Sequence, residues 1–415
     1  MNVLLHTFGC KANQYDTEVV RQRLEAAGCR VVHTADEADA AVVNSCAVTH
    51  VGEAKLRAFV RRLGRRRPGM RTVVMGCAAT LDDGRLGALP GTVSVVSGAD
   101  VTAVERALGL GPGRPAPLRR FVGQARAWLK IQDGCDQRCT FCATALARGA
   151  SRSRLPGEVA VEAALLAEHH AEIVLTGVHV GAYGRDLAGG WTLASLARSL
   201  VLQVPQVRFR LSSVEATELD EGLLALMVEM PDRLAPHLHA PLQSGSDRVL
   251  RSMGRRWYTA TTYARRVEEA AARIRPLGLG ADIIVGFPGE TDADHRATVS
   301  LVRSLPFNYL HVFPFSPRAG TAAQSLGSRP APEAVRERGA ELRSLAEERE
   351  EAYRLTRVGG RADLVLGAGR GAYREAVTED YLSARVPAEE PWVAGRRRVV
   401  GRLALRQGAL VAEAV

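Results

Sequence analysis

At 415 residues the chain exceeds what one ordinary hydrophobic core organises, so two to four domains are expected. Its 46% apolar and 24% charged residues describe a globular protein, and no apolar run nears the roughly 18 residues a membrane span requires, which makes the cytoplasm the expected compartment and a membrane partner unexpected. A formal net charge of +10 suggests a polyanionic partner such as nucleic acid, although only three of the 55 basic residues are lysine, a bias that genome composition also produces.

In chain order, the first 110 residues alternate strand and helix. "NVLLHTFGC", "DAAVVNSC" and "RTVVMGC" are apolar strand-like runs ending at Cys10, Cys46 and Cys77. Between them lie "NQYDTEVVRQRLEAAG", with Asn13 or Asp16 as N-cap and Gly28 as stop, and "VGEAKLRAFVRRLGRRRPG", ended by Pro68 and Gly69. Such alternation predicts a parallel sheet, whose loops after the carboxyl ends of strands converge on one edge. Cys10, Cys46 and Cys77 would then face one crevice as candidate ligands of a cluster, with ordinary core thiols as the alternative. Cys29, which follows the helix stop, reads as a structural thiol. "LGLGPGRPAPLRR", residues 108–120, has too many breakers for a helix and reads as a linker.

The stretch "KIQDGCDQRCTFCATALARGASRSR" then places three cysteines with three and two residues between them: Cys135, Cys139 and Cys142. Structural zinc usually takes four protein ligands, and no Glu or His within the loop could carry a proton for a zinc hydrolase or deaminase. Seven cysteines are an odd number for disulfides, and no apolar leader follows a basic start, so reduced thiols are expected. Three thiolates on a four-iron cluster leave one iron open to a ligand from elsewhere.

From residue 121 to about 357, "WLKIQD", "EIVLTG", "VRFRLSS", "PHLHAPL", "ADIIVGF" and "YLHVFPF" are candidate strands, each trailed by a helical stretch. Six such units predict an open partial barrel with its chemistry at the carboxyl ends of the strands. There, Gly177, Gly286 and Gly289 would let a ligand approach the backbone, while Ser213, Glu215 and Gln243 could hydrogen-bond it. Simple turns are the bland reading of these glycines. Glu290 reads as a helix N-terminal charge, and His179, His237 and His239 as ligands or satisfied structural histidines. A charged helix is predicted over 333–357, and after Gly359 and Gly360 short alternating runs predict a small antiparallel unit of about 55 residues.

The C-x3-C-x2-C loop, with Phe141 just before its last cysteine, resembles the signature of the radical S-adenosylmethionine (SAM) enzymes. "GCDQRCTFC…ARGASRSR", "RLSSVEATEL", "HLHAPLQSGSDRVLRSMGR" and "DIIVGFPGET" resemble the blocks of one family within them, the methylthiotransferases. "LTGVHVGAYGRDL" looks like its MtaB-type branch, which modifies N6-threonylcarbamoyladenosine beside the tRNA anticodon, and "TEDYLSARV" resembles the family's RNA-binding TRAM barrel. "ATALARG" departs from the proline-containing segment usual after the third cysteine.

The resemblance implies an α/β protein: an N-terminal three-layer parallel-sheet domain over 1–110, a partial (β/α)6 radical SAM barrel over 118–357 and a TRAM-like antiparallel β barrel over 358–415. It implies two 4Fe-4S clusters. Cys135, Cys139 and Cys142 would hold the catalytic one, whose open iron binds SAM. Gly177, Ser213, Glu215, Gln243 and Gly286 would contact the cofactor. Cys10, Cys46 and Cys77 would hold an auxiliary cluster carrying the sulfur, which a second SAM methylates before insertion at adenine C2. The implied partners are a tRNA anticodon stem-loop, gripped in part by Arg396, Arg397 and Arg398, a low-potential electron donor and a sulfur source. Two alternatives stay open: the same chemistry on isopentenyladenosine or on an aspartate of a ribosomal protein, and a non-catalytic zinc-dependent RNA-binding protein.

Overall fold

The computed structural model describes residues 1–415, apart from the side chain of Arg370, and divides into two compact units. One gathers Met1–Arg119, Gln132–Arg152 and Ser316–Ser325; the other gathers Arg120–Ile131, Ser153–Phe315 and Leu326–Val415. The units cut across chain order. Both cysteine trios belong to the first.

The first unit is built on five parallel strands: β1 (Asn2–Thr7), β2 (Arg30–Val32), β3 (Ala40–Ser45), β4 (Arg71–Gly76) and β5 (Thr92–Ser97). Their order across the sheet is β2-β1-β3-β4-β5. Central β3, "AAVVNS", is buried at every position, as a strand covered on both faces must be. Alternate residues feed two cores. Val3, Val42, Val73 and Met75 join Val20, Leu24 and Val104 of α1 (Lys11–Ala26) and α4 (Val101–Ala107). Leu4, Val43 and Val74 join Leu56, Val60 and Leu63 of α2 (His50–Arg66). The result is helix, sheet and helix in three layers.

The expected cap of α1 is corrected. Its N-cap is Cys10, and neither Asn13 nor Asp16 caps it, because both side chains are held elsewhere: Asn13 donates to Ser45 O at 2.8 Å and Asp16 pairs with Arg148. Gly28 does follow the helix end, at φ +79°. Cys29 is buried in the apolar cluster with Val3 and Leu24. The 108–120 stretch forms no helix or strand and lies along α1, whose Gln22 and Arg23 donate to Pro117 O and Gly113 O.

In the second unit the six expected strands are Arg126–Lys130, Glu172–Thr176, Arg208–Leu211, His237–His239, Gly278–Val285 and Tyr309–Pro314. They run parallel in two ladders of three, and the Ser213–His239 bridge joins the ladders. The sheet is concave. The ring of Tyr381 lies 5.7 Å from the Arg126 guanidinium on the first strand and 5.7 Å from the Tyr309 ring on the last. After the long helix Pro332–Arg357, five strands between Arg361 and Glu413 close into a barrel around Leu364, Val386, Val399 and Leu403. Glu290 is no helix-terminal charge: it accepts Gly286 N–H at 2.7 Å and Arg338 at 2.7 Å, two residues ahead of the helix Asp292–Ser304. No helix among the described residues is long and apolar enough to cross a membrane.

Candidate cluster site

Cys46 and Cys77 directly follow β3 and β4, and Cys10 comes three residues after the end of β1; the three strands are consecutive in the sheet. The order β2-β1-β3 makes the chain leave β1 to one side and β3 to the other, the topological switch that opens a crevice at the carboxyl edge. Two glycines bring the strand tips close. Gly76 adopts φ +94°, and a Cβ there would lie 2.2 Å from Asn44 Oδ1; a Cβ on Gly9 would lie 3.1 Å from Cys46 Cβ. Asn13 ties the tips together, donating to Asn44 Oδ1 at 2.9 Å and to Ser45 O, while its own Oδ1 lies 3.5 Å from Cys10 Sγ and 3.9 Å from Cys77 Sγ. Cys10 is exposed, Cys46 half-buried and Cys77 buried. Burial pushes the Cys46 thiol up to about 11, with the other two thiols adding to it, and raises Cys77 as well, against the pull of Arg148. An all-thiol donor set around a sheltered crevice, whose deprotonation needs a nearby positive centre, fits an iron-sulfur cluster.

The second trio occupies the loop 134–142. Gly134 at φ +73° lets the loop pass within van der Waals reach of Ala150, where a Cβ would lie 1.9 Å from the carbonyl oxygen. Gln132 Nε2 clamps the loop by donating to Gly134 O at 2.6 Å and Ser151 Oγ at 2.9 Å. Cys135 N–H donates to Gly149 O, Cys142 N–H to Cys139 O, and Gln137 N–H points at Cys135 Sγ from 3.4 Å. All three cysteines are half-buried. They are soft donors on one short loop, which suits a cluster there too.

Arg148, at the end of the short helix Thr144–Arg148 that follows the second trio, reaches the first trio and was not singled out from the sequence. Its Nε lies 3.3 Å from Cys77 Sγ; its Nη1 donates to both Asp133 oxygens at 3.1 and 3.2 Å; its Nη2 donates to Asn13 Oδ1 and Asp16, each at 2.9 Å. Burial opposes its charge, but Asp16, Cys77 and Asp133 outweigh burial and hold it cationic. One guanidinium, six residues beyond Cys142, thus reaches a thiol of the other trio. The only signal in the sequence was "ARG" in a helix too short to read.

In the second unit Gly177, Ser213, Gln243 and Gly286 all follow carboxyl ends of the parallel strands. Gln243 takes φ +66° to pair with the edge of the Gly278–Val285 strand, its N–H on Asp282 O and its O accepting from Ile284 N–H. Gly286, at φ +76°, leaves room for Val335, which a Cβ would meet at 2.6 Å. Glu215 is paired with Arg255, which stacks over Trp257 and Tyr258; a carboxylate has lone pairs for a further donor. The "GVHVGAYG" block is organised by Glu218, which meets His179 at 2.9 Å and Arg185 at 2.7 Å and occupies the space a Cβ on Gly181 would need. His237 and His239 both hydrogen-bond the Tyr309 hydroxyl.

Of the basic trio, Arg397 donates to Glu168 O and Arg398 pairs with Asp363, while Arg396 is exposed.

The family model described as uncharacterized protein family UPF0004 matches residues 2–98, and the radical SAM superfamily model matches residues 129–302. The chain is 36% identical over 340 residues to the threonylcarbamoyladenosine tRNA methylthiotransferase MtaB of Thermotoga maritima, covering 78% of this chain and 77% of that one. The Bacillus subtilis protein of the same name is 36% identical over 340 residues, 77% of this chain and 75% of the relative. The tRNA-2-methylthio-N(6)-dimethylallyladenosine synthase of a Nocardioides species is 34% identical over 407 residues, 92% of this chain and 80% of the relative. Among solved structures, the radical SAM methyltransferase TsrM of Kitasatospora setae shares the fold at a TM-score of 0.60 and 16% identity, over 78% of this chain and 77% of TsrM.

Proposed function

Because the chain belongs to the radical SAM methylthiotransferases, enzymes that transfer methylthio groups, we propose that it inserts a methylthio group at C2 of N6-threonylcarbamoyladenosine at position 37 of tRNA. The observation that supports this reading is the presence of both trios in one compact unit, with Arg148, six residues beyond Cys142, against Cys77 of the other trio. When bound, a 4Fe-4S cluster and SAM supply a carbon-centred radical, and a second cluster supplies sulfur. Adenine C2–H is neither acidic nor electrophilic enough for proton-transfer chemistry, which is why such a cofactor is needed.

The protein's own part is to hold and shelter. Cys135, Cys139 and Cys142 ligate one cluster and Cys10, Cys46 and Cys77 the other, while Gly177, Ser213, Glu215, Gln243 and Gly286 orient SAM. Asn13 and Arg148 keep the two ligand sets in fixed register. The enzyme works in the cytoplasm with a low-potential electron donor and a sulfur source, on a target base splayed from the anticodon loop, where stacking can read it.

Mass spectrometry of tRNA nucleosides from cells with and without the gene tests the assignment. Loss of the 2-methylthio form of threonylcarbamoyladenosine is expected, and an unchanged level overturns it. Relatives with the dimethylallyladenosine name, matched over as much as 92% of this chain, favour the isopentenyl nucleoside as the second reading, and loss of its methylthio form instead would select it. Iron and sulfide quantitation on anaerobic protein tests the two clusters. Replacing either trio by serine should remove about half the iron, and zinc in place of iron and sulfide would leave only a zinc-dependent RNA-binding role.

A further inference from the structure

His239, Asp282 and His311 lie on three neighbouring strands of the second unit, on the same concave face as Tyr309. The pairing sets His239 opposite Gly280 and Asp282 opposite His311. His239 Nε2 is 3.1 Å and His311 Nδ1 is 3.2 Å from Asp282 Oδ1, and one ligand atom from each residue falls within 4.8 Å of the others. Nothing in the proposed chemistry uses them.

We propose that His239, Asp282 and His311 bind a divalent first-row transition cation, separate from both cysteine trios. Two imidazoles and one carboxylate are the ligand types that Zn²⁺, Fe²⁺ and Mn²⁺ accept, and three protein ligands leave positions open for water or an oxygen donor. Ligands about 2.0–2.2 Å from such an ion stand about 3 Å apart, the spacing of each imidazole from Asp282 Oδ1. Asp282 supplies the anion, with both imidazoles within hydrogen-bond distance of its Oδ1.

Hydrogen bonds alone also give that spacing, so the atoms behind the ligands matter. His239 Nδ1 is 3.0 Å from the Tyr309 hydroxyl, which is 2.8 Å from His237 Nε2. Without a cation, His239 donates from Nε2 to Asp282 and accepts at Nδ1 from Tyr309. With one, the proton moves to Nδ1, which donates to the Tyr309 oxygen, and the hydroxyl turns its hydrogen toward His237 Nε2. His237 then carries its proton on Nδ1 in place of Nε2, and no heavy atom shifts. A ring nitrogen tied to a polar partner behind it is the arrangement that orients metal-ligating histidines. Gly280 makes this backing possible, because a Cβ there would lie 2.0 Å from the Tyr309 ring. Access is open on the other side: the His311 side chain is 53% exposed while that of His239 is 8% exposed.

The test compares the anaerobic holoenzyme with its Asp282→Asn and His311→Gln variants after incubation with a small excess of zinc chloride and desalting. One additional zinc per chain is expected in the wild type and at least tenfold less in both variants, with iron and sulfide the same in all three. Equal zinc in all three, including none, overturns the site. So does zinc uptake matched by iron loss, which would place the zinc at the cysteines. His311 is exposed, so its variant folds; thermal melting supplies the second measurement, since zinc should raise the wild-type Tm and leave that of His311→Gln unmoved.

Discussion

At the scale of single residues, Arg148 concentrates the most interactions on one side chain. It and Asp16 are almost fully buried, with side-chain exposures of 6% and 3%, so their attraction is little screened by solvent. Removing the guanidinium leaves Asp16 as a buried carboxylate without its cation, and breaking such a pair costs about 3–5 kcal/mol. Arg148→Met should therefore lower the unfolding free energy of the first unit by that much, read as a lower denaturant midpoint at unchanged m. Arg148→Lys keeps the charge but cannot reach Asp133, Asp16 and Cys77 together with one ammonium, and should fall between. A methionine variant that unfolds with the wild type would mean that the bridge holds nothing.

At the scale of elements, the "TEDY" turn of the C-terminal barrel docks on the floor of the six-stranded sheet. Arg208 and Arg210 meet Glu172 at 2.7–2.9 Å, all three with side chains no more than 1% exposed, and pass the remaining guanidinium N–H groups to Asp363 O, Thr378 O and Glu379 O of the barrel. Tyr381, in the left-handed region at φ +74°, stacks against His237, and Gly278 leaves space for Asp380, whose carbonyl oxygen a Cβ would meet at 1.9 Å. The segment most like an RNA-binding barrel in sequence is thus turned inward. Burial opposes the Glu172 charge, but Arg210 and Arg208 dominate and depress its pKa. A depressed carboxylate contributes stability that is complete above the ordinary glutamate range near 4.5 and is lost as pH falls through the lower folded value. Glu172→Gln should accordingly destabilise the dock by about 3 kcal/mol or more at neutral pH and remove most of the acid dependence, read as earlier proteolytic release of 358–415. Wild-type resistance across that range would refute this reading of the ion cluster.

These two clusters also mark where the sequence stops being informative. The gathering of Cys10, Cys46 and Cys77 was legible because strand-helix alternation dictates a parallel sheet, and a parallel sheet dictates a common edge. The C-x3-C-x2-C loop was legible from spacing alone. Arg148 was not, since its partners Asn13 and Asp16 lie more than a hundred residues earlier. Arg208 and Arg210 flank Phe209 in the candidate strand "VRFRLSS", and only the docked barrel explains why both are buried. The cap of α1 was misread for a related reason: Asn13 fits the local preference for a cap, and its long-range bonds to Asn44 and Ser45 took its side chain.

For the whole molecule, the count of 55 basic residues overstates what is free to meet RNA, because arginines such as Arg23, Arg148, Arg208, Arg210 and Arg357 are held in buried or half-buried ion pairs. Binding to tRNA should still weaken as salt rises, since each phosphate neutralised releases a counterion. With about four contacts, affinity would fall on the order of a hundredfold between about 50 and 200 mM salt. The basic turn refines the expectation. Arg398 is paired with Asp363 and Arg397 is tied to Glu168 O, so exposed Arg396 is the side chain of the three best able to reach a phosphate. Arg396→Ala should reduce the slope of log K against log salt by about 1 without changing the melting temperature, whereas Arg398→Ala should lower the melting temperature. Salt-insensitive affinity, or an unchanged slope in Arg396→Ala, would take this turn out of the RNA path and leave tRNA recognition to other surfaces of the protein.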